Sequence, residues 1–465
     1  MATKHRDLND INRDIVTKTV EAPALALEKT LETTHDIGRR LNNDKTLKKT
    51  KDYWHMLGPG LTTGASDDDP SGIATYSQTG AQYGFQLLWL SAFTFPLMAV
   101  VQEMCARIGL VTGRGLAGNI RKVFPHRVLH ISALLLFAAN AFNIGADLGA
   151  MSQGVRLLFP HWSYTLLLVG FTILMLGLQI FTPYERYARY LKWLAMVLLA
   201  YILSAALAHL NWGNVLKHSV IPNVTFSKDQ ILLICAILGT TISPYLFFWQ
   251  TSQEVEDQIT HGKTTIKMRA SETTAQEVRS MRIDVWSGML LSNLVMFFIV
   301  AASGALLFAH GITNIQTSAQ AAEALRPFAG NATYFLFAVG IIGTGMLAIP
   351  VLAGSSSYAI AESLHKQGSL SKKLKQAYAF YGVIILSMLV GLAMNFVGIN
   401  PIKALIYAAV ANGIVAPVVL VLILLISSNH KIMGEWVNGP WTKIVGWATT
   451  VLMAISGIAA IISLF

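Results

Sequence analysis

Cysteine is nearly absent: Cys105 and Cys235 are the only two in 465 residues. They stand 130 positions apart, each inside an apolar run, so no disulfide framework can be argued and both read as small core residues. Charge is scarce as well, at 13% of residues against 53% apolar, which excludes an ordinary soluble enzyme with a greasy core. All 12 histidines fall in the N-terminal tail, in polar connections or at the ends of apolar runs, and none lies near the middle of one. No nucleophile, histidine and acid set, no phosphate loop and no metal-ligand histidine spacing is found, so the expectation is a chain that is not an enzyme and needs no cofactor. The start, MATKHRDLND, lacks the apolar stretch of a cleaved export signal, and the expectation is that the first spans direct insertion.

What the chain does have is apolar length. Runs of about 20 apolar residues match a hydrocarbon layer roughly 30 Å thick. They recur at about 56–80, 84–107, 128–157, 161–182, 190–210, 229–253, 284–309, 333–361, 377–397, 401–427 and 442–464, giving eleven spans of an all-α polytopic membrane protein. Residues 1–55 form a polar tail with eleven basic and nine acidic residues, read as solvated and cytoplasmic, although its ALALEKTL stretch also suits a helix lying on the membrane surface. Residues 56–465 form the membrane domain, and the long polar connection 254–283 reads as an exposed linker without chemistry of its own.

The 35 Lys and Arg residues are divided unequally. Eleven lie in the tail and 19 in the connections that share its side, whereas only Arg156, Lys217, Lys228, Arg326 and Lys403 lie on the other side. Positive residues stay on the cytoplasmic side, so the N-terminus is expected inside and Phe465 outside. The net charge of +10 then reports topology and contact with an anionic lipid bilayer, not nucleic acid binding. Nothing in the sequence specifies an oligomeric state.

The first span is the least apolar, and it contains GASDDDPSGIAT. Its Asp69–Gly72 segment, Asp-Pro-Ser-Gly, interrupts the helix, and GTTISPY at Gly239–Tyr245 interrupts the sixth span. Proline lacks an amide proton and clashes with the preceding turn, so each interruption frees carbonyls at mid-membrane depth, where free backbone groups are tolerated only if they line a cavity or bind something. Taken singly, the aspartates also suit a helix cap at a membrane edge, and Pro244 a simple kink. Taken together, five spans apart, the breaks describe an inverted repeat: about 56–210 and 229–427, with an extra helix at about 442–464.

At these residues the chain resembles the Nramp family of divalent metal transporters. The likeness runs through GPGLTTGASDDDPSGIATYSQTGAQYG, RIGLVTGRGLA, ADLGA, GTTISPYLF and FAVGIIGTG, and covers essentially residues 56–464. It implies a leucine-transporter-like fold of 5+5 helices plus an eleventh, with helices 1 and 6 broken around a metal substrate. The family's metal-binding aspartate falls on Asp69, and its asparagine three residues later is here Gly72. The family's methionine and histidine around the sixth-span proline are here Ser243 and Tyr245, and its two ligand carbonyls map to Ser66 and Thr240. Its Asp-Leu-Ala-Glu in span 3 reads Asp147-Leu148-Gly149-Ala150, so the aspartate stays and the proton-handling glutamate is gone.

These departures have chemical consequences. A thioether favours soft transition metals, so Ser243 removes that bias, and Gly72 removes bulk and an oxygen ligand. The expected site is wider, wetter and all-oxygen, which suits partly hydrated Mg2+, with Mn2+ also accepted, and places the chain nearest the magnesium-transporting branch. Asp68 is expected to act through water, and Asp67 to raise the local negative potential. With two titratable groups missing, uptake is expected to be driven by membrane potential without a proton, although Asp147 keeps a proton path open. Asn412 in VANGIVAP is a candidate for lining the cavity or for packing. A proton-coupled Mn2+ or Fe2+ symporter and a non-transporting membrane sensor are the competing readings.

Overall fold

The computed structural model describes residues 58–182, 199–207, 210–271, 273–326, 330–366 and 368–463. The predicted polar tail and the beginning of the fifth span lie outside the described residues. Within them every regular element is a helix. Eight helical stretches are long and apolar enough to cross a membrane, the sixth span being counted through its break. The broken first span, the 17-residue ninth span and the part of the fifth span at Leu199–Leu207 complete the expected eleven.

In chain order, the first span is α1 (Pro59–Asp67) and α2 (Pro70–Tyr83), followed by α3 (Trp89–Thr112). A short α4 (Leu116–Val123) leads to α5 (His126–Leu158) and α6 (Tyr164–Phe181). Beyond α7 (Leu199–Leu207) and α8 (Trp212–Val220), the sixth span is α9 (Lys228–Thr241) and α10 (Pro244–Thr260). Then come α11 (Ile266–Ser271), α12 (Ala275–Leu306), α13 (Ser318–Ala322), α14 (Thr333–Ser363), α15 (Tyr378–Met394), α16 (Pro401–Ser427), α17 (His430–Met433) and α18 (Pro440–Ser463). The broken spans pack with α3 and α12 as one bundle, while α5 runs against α14, α15 and α16. Small residues let backbones touch where the layers carry the breaks. A Cβ on Gly64 of α1 would collide with the Gly288 backbone of α12, and one on Gly239 of α9 with Ala409 and Gly413 of α16. The perimeter is apolar, with Phe181 and Ile462 largely exposed, and tryptophans such as Trp162 and Trp441 sit near helix ends, as a lipid interface favours.

The connection expected as an exposed linker at 254–283 is instead mostly folded. Polar helix formers extend α10 to Thr260, and Gly262 at φ 91° ends the turn that follows. Arg269 is buried and donates to the carbonyls of Gly113, Lys263 and Thr264. A capping box between Thr274 and Glu277 starts α12 nine residues before its apolar run begins. Hydropathy cannot see such a start, because the capping residues are polar.

One carboxylate from α12 determines how α1 begins. Asp284 accepts the amides of Gly58 at 2.8 Å, Gly60 at 2.6 Å and Leu61 at 3.0 Å, amides that have no partner within their own helix. Asp284→Ala leaves these donors bare in a mostly buried position, and the expected loss is about 2–4 kcal/mol of stability. Thermal unfolding in detergent checks this: a lowered midpoint is expected, with Asp284→Asn falling between the two.

Candidate functional site

Both breaks are built by the same backbone recipe. The helix α1 ends at Asp67, Asp68 turns at φ −82° and ψ 56°, Asp69 is extended at φ −70° and ψ 171°, and Pro70 opens α2. The helix α9 ends at Thr241, Ile242 turns at φ −115° and ψ 59°, Ser243 is extended at φ −83° and ψ 133°, and Pro244 opens α10. Proline suits the first helical position because its missing amide proton is not needed there. The same missing proton deprives the carbonyl four residues earlier of a helical partner, and those carbonyls belong to Ser66 and Thr240. The break in the first span is therefore Asp68–Asp69, earlier than the expected Asp69–Gly72, and Gly72 belongs to the first turn of α2.

Side chains occupy the freed carbonyls. The Tyr245 hydroxyl donates to the Ser66 carbonyl at 3.2 Å, crossing from one broken span to the other. The Ser243 hydroxyl donates to the carbonyls of Gly239 at 2.7 Å and Thr240 at 2.8 Å, at the end of α9 in its own span. A carbonyl has two lone pairs, so Ser66 and Thr240 each keep acceptor capacity.

The three aspartates are no more than 2% exposed, yet they diverge. Asp67 accepts from Ser292 on α12, as does Asp68 at 3.4 Å, and the other oxygen of Asp67 has no hydrogen-bond partner among the described residues. Asp69 turns the opposite way. Its Oδ1 caps α2 by accepting from the Ser71 hydroxyl at 2.6 Å and the Gly72 amide at 2.7 Å. Its Oδ2 accepts from Nδ2 of Asn143 on α5 at 2.9 Å. A carboxylate offers about four lone-pair positions, so Asp69 has roughly one left. Among the described residues no three His, Cys, Asp or Glu side chains converge as a ready-made metal cage.

The other expected residues are placed as follows. Asp147 is fully buried one helical turn beyond Asn143, with neither oxygen hydrogen-bonded among the described residues, and lies within electrostatic range of Asp69 and Tyr245. Asn412 is buried on α16 beside Gly413, with both ends of its amide unbonded among the described residues, and nothing links it to the carboxylates. Gly72 does not widen the site in this state. A Cβ there would meet the Thr240 hydroxyl at 3.2 Å and the Tyr76 ring at 3.3 Å, so those two side chains fill the space that a longer residue would take. The extra width expected beside Gly72 is thus absent here, because Thr240 of α9 and Tyr76 of α2 stand against it.

Three participants were not foreseen from the sequence: Asn143, Ser292 and Tyr76. The signal for Asn143 was present, since Asn143 and Asp147 are spaced i, i+4 and share a face of α5. Ser292 sits in an apolar run whose contact face shows only once α12 is docked on α1. Tyr76 carries no signal of its own in the sequence, where aromatics are common in apolar runs.

The architecture and the sequence agree with known proteins. The Nramp model, described as natural resistance-associated macrophage protein-like, matches residues 60–463. The divalent metal cation transporter MntH of Klebsiella pneumoniae is 26% identical over 420 residues, covering 89% of this chain and 95% of that protein. Its Bacillus subtilis namesake is 25% identical over 419 residues, covering 88% and 92%. Among solved structures, the manganese transporter of Eremococcus coleocola in complex with an aromatic bis-isothiourea substituted compound superposes with a TM-score of 0.69 at 19% identity, covering 88% of this chain and 86% of that one. Mhp1, a nucleobase-cation-symport-1 family transporter, superposes at 0.55 and 16% identity, covering 87% and 91%. These relatives are named as transporters and not as enzymes. With a family match over nearly the whole membrane domain and the paired breaks in place, the chain belongs to the Nramp family.

Proposed function

We propose that this chain carries divalent metal cations across a lipid bilayer, preferring Mg2+ and accepting Mn2+, with the ion partly hydrated and no proton coupled to its movement. The observation that carries the reading is the shortage of direct protein ligands at the break. Asp69 has about one free lone pair, the Ser66 and Thr240 carbonyls each already accept a hydroxyl, and position 243 offers a serine where a soft sulfur would select transition metals. An ion held by one carboxylate oxygen and two shared carbonyls must keep several waters, which is how Mg2+ is usually bound. Asp68 contributes through such a water. Seating a hydrated ion requires α2 and α9 to separate, since Thr240 and Tyr76 close the space beside Gly72 in this state.

The absence of a coupled proton is supported by what surrounds the site. Position 150 is a buried alanine, position 245 is a tyrosine bonded to a carbonyl, and no described histidine is buried. The competing proton-coupled reading draws on Asp147, a buried carboxyl with two unbonded oxygens. The distribution of basic residues supports an N-terminus on the cytoplasmic side and Phe465 outside. Competition for Mg2+ uptake in proteoliposomes tests the ion preference. Cd2+, a soft ion, is expected to inhibit no better than Mn2+, and inhibition by Cd2+ at about 100-fold lower concentration than Mn2+ would reject an all-oxygen hydrated site.

A further inference from the structure

Asn143 is buried in the middle of α5, and of the four hydrogen bonds its amide offers, the one observed is to Oδ2 of Asp69. Its own Oδ1 is buried without a partner among the described residues. An orphaned amide oxygen inside a helix bundle is unfavourable, and an alanine or leucine at this position would avoid it. The contrast with Asn140, one turn earlier, is instructive. That amide donates to the Leu352 carbonyl and to Ser355 and Ser356, tying α5 to α14. Both asparagines keep a free Oδ1, but only that of Asn143 belongs to an amide already bonded to the carboxylate at the break.

We infer that Asn143 is a specificity-determining residue of the transport site, resting on the reading of Asp69 as the ion ligand. It acts in two ways. Ser71 and Gly72 occupy Oδ1, so an ion meets Asp69 through Oδ2 alone, and by donating to Oδ2 Asn143 fixes the direction of the one acceptor position left there. By presenting Oδ1 beside that oxygen it accepts a hydrogen bond from a water carried by the ion. Both effects favour a small cation that keeps its waters over a larger one that takes bidentate carboxylates, namely Mg2+ over Ca2+. The asparagine missing at Gly72 is thereby replaced by one from a different helix, placed to touch the ion's water and not the ion itself.

The test is uptake of Mg2+ and of Ca2+ into proteoliposomes by the native chain, Asn143→Leu, Asn140→Leu and Asp69→Ala. Asn143→Leu removes both the donor that orients Oδ2 and the acceptor for the ion's water, so the ratio of Mg2+ to Ca2+ uptake is expected to fall about 10-fold, the usual scale for groups that orient a metal ligand. Asn140→Leu is expected to lower the amount of folded protein and leave the ratio alone. If Asn143→Leu lowers both ions equally or changes neither, Asn143 is a packing residue and the inference fails. If Asp69→Ala leaves uptake of both ions intact, the ligand assignment itself fails, which is a separate result. Should Asn143→Leu not fold, Asn143→Ser, too short to reach Asp69, is read by the same ratio.

Discussion

Asp69→Asn is expected to reduce Mg2+ and Mn2+ uptake by about 100- to 1,000-fold, because leaving a buried charge without its counter-charge costs about 3–5 kcal/mol. Asparagine is the informative substitution, since its side-chain oxygen still accepts the Gly72 amide and caps α2 as Asp69 does. The fold then survives and only the charge is lost. Asp69→Ala also removes the cap, at a further cost of about 1 kcal/mol to the helix, and is expected to transport no better. Initial rates with metal-sensitive dyes, normalised to the protein recovered as a single species, make the comparison. Near-native uptake by Asp69→Asn would move the ion to Asp67 and Asp68, which share the Ser292 hydroxyl of α12 and form the other acidic face of the break.

With an inside-negative potential of about 100 mV and no pH gradient, the native chain is expected to accumulate Mg2+ toward about three orders of magnitude above the outside concentration, since each charge contributes about 2.3 kcal/mol. The lumen is expected not to acidify. Burial of a divalent ion on one carboxylate leaves a net positive charge to move through the membrane, so the potential acts on the transport step itself. A coupled proton would need a buried group that gains and loses it between the two sides. Around the break the described candidates are carboxyls, chiefly Asp147, because positions 150 and 245 are alanine and tyrosine. Acidification that tracks metal uptake, and disappears in Asp147→Asn, would overturn the uncoupled reading and assign the proton to that residue.

Some of this protein was legible residue by residue. Eleven spans follow from apolar run length, and among the described residues the structure adds polar extensions, such as the turns of α10 beyond residue 253 and the early start of α12. The breaks were legible because Asp-Pro and Ser-Pro are local chemistry: proline strips one hydrogen bond from the residue four before it wherever it stands in a helix. Hydropathy overlooked the buried role of Glu254, Gln258 and Arg269, since a charged residue scores as exposed whether or not a neighbour covers it.

The sequence by itself determined that this chain crosses a membrane many times, that spans 1 and 6 are interrupted, and that aspartate and serine stand at the interruptions. Each of these depends on residues within one or two helical turns. Only the tertiary structure decided what the aspartates do. Asn143 lies 74 residues from Asp69, Ser292 lies 225 from Asp67, and Asp284 lies 226 from the amide of Gly58. Three adjacent carboxylates could have shared one ion, but the extended backbone at Asp69 turns it to Asn143 of α5, while Asp67 and Asp68 both accept from Ser292 of α12. Which helix receives which is a matter of packing, settled where glycines such as Gly64 and Gly288 let the backbones meet.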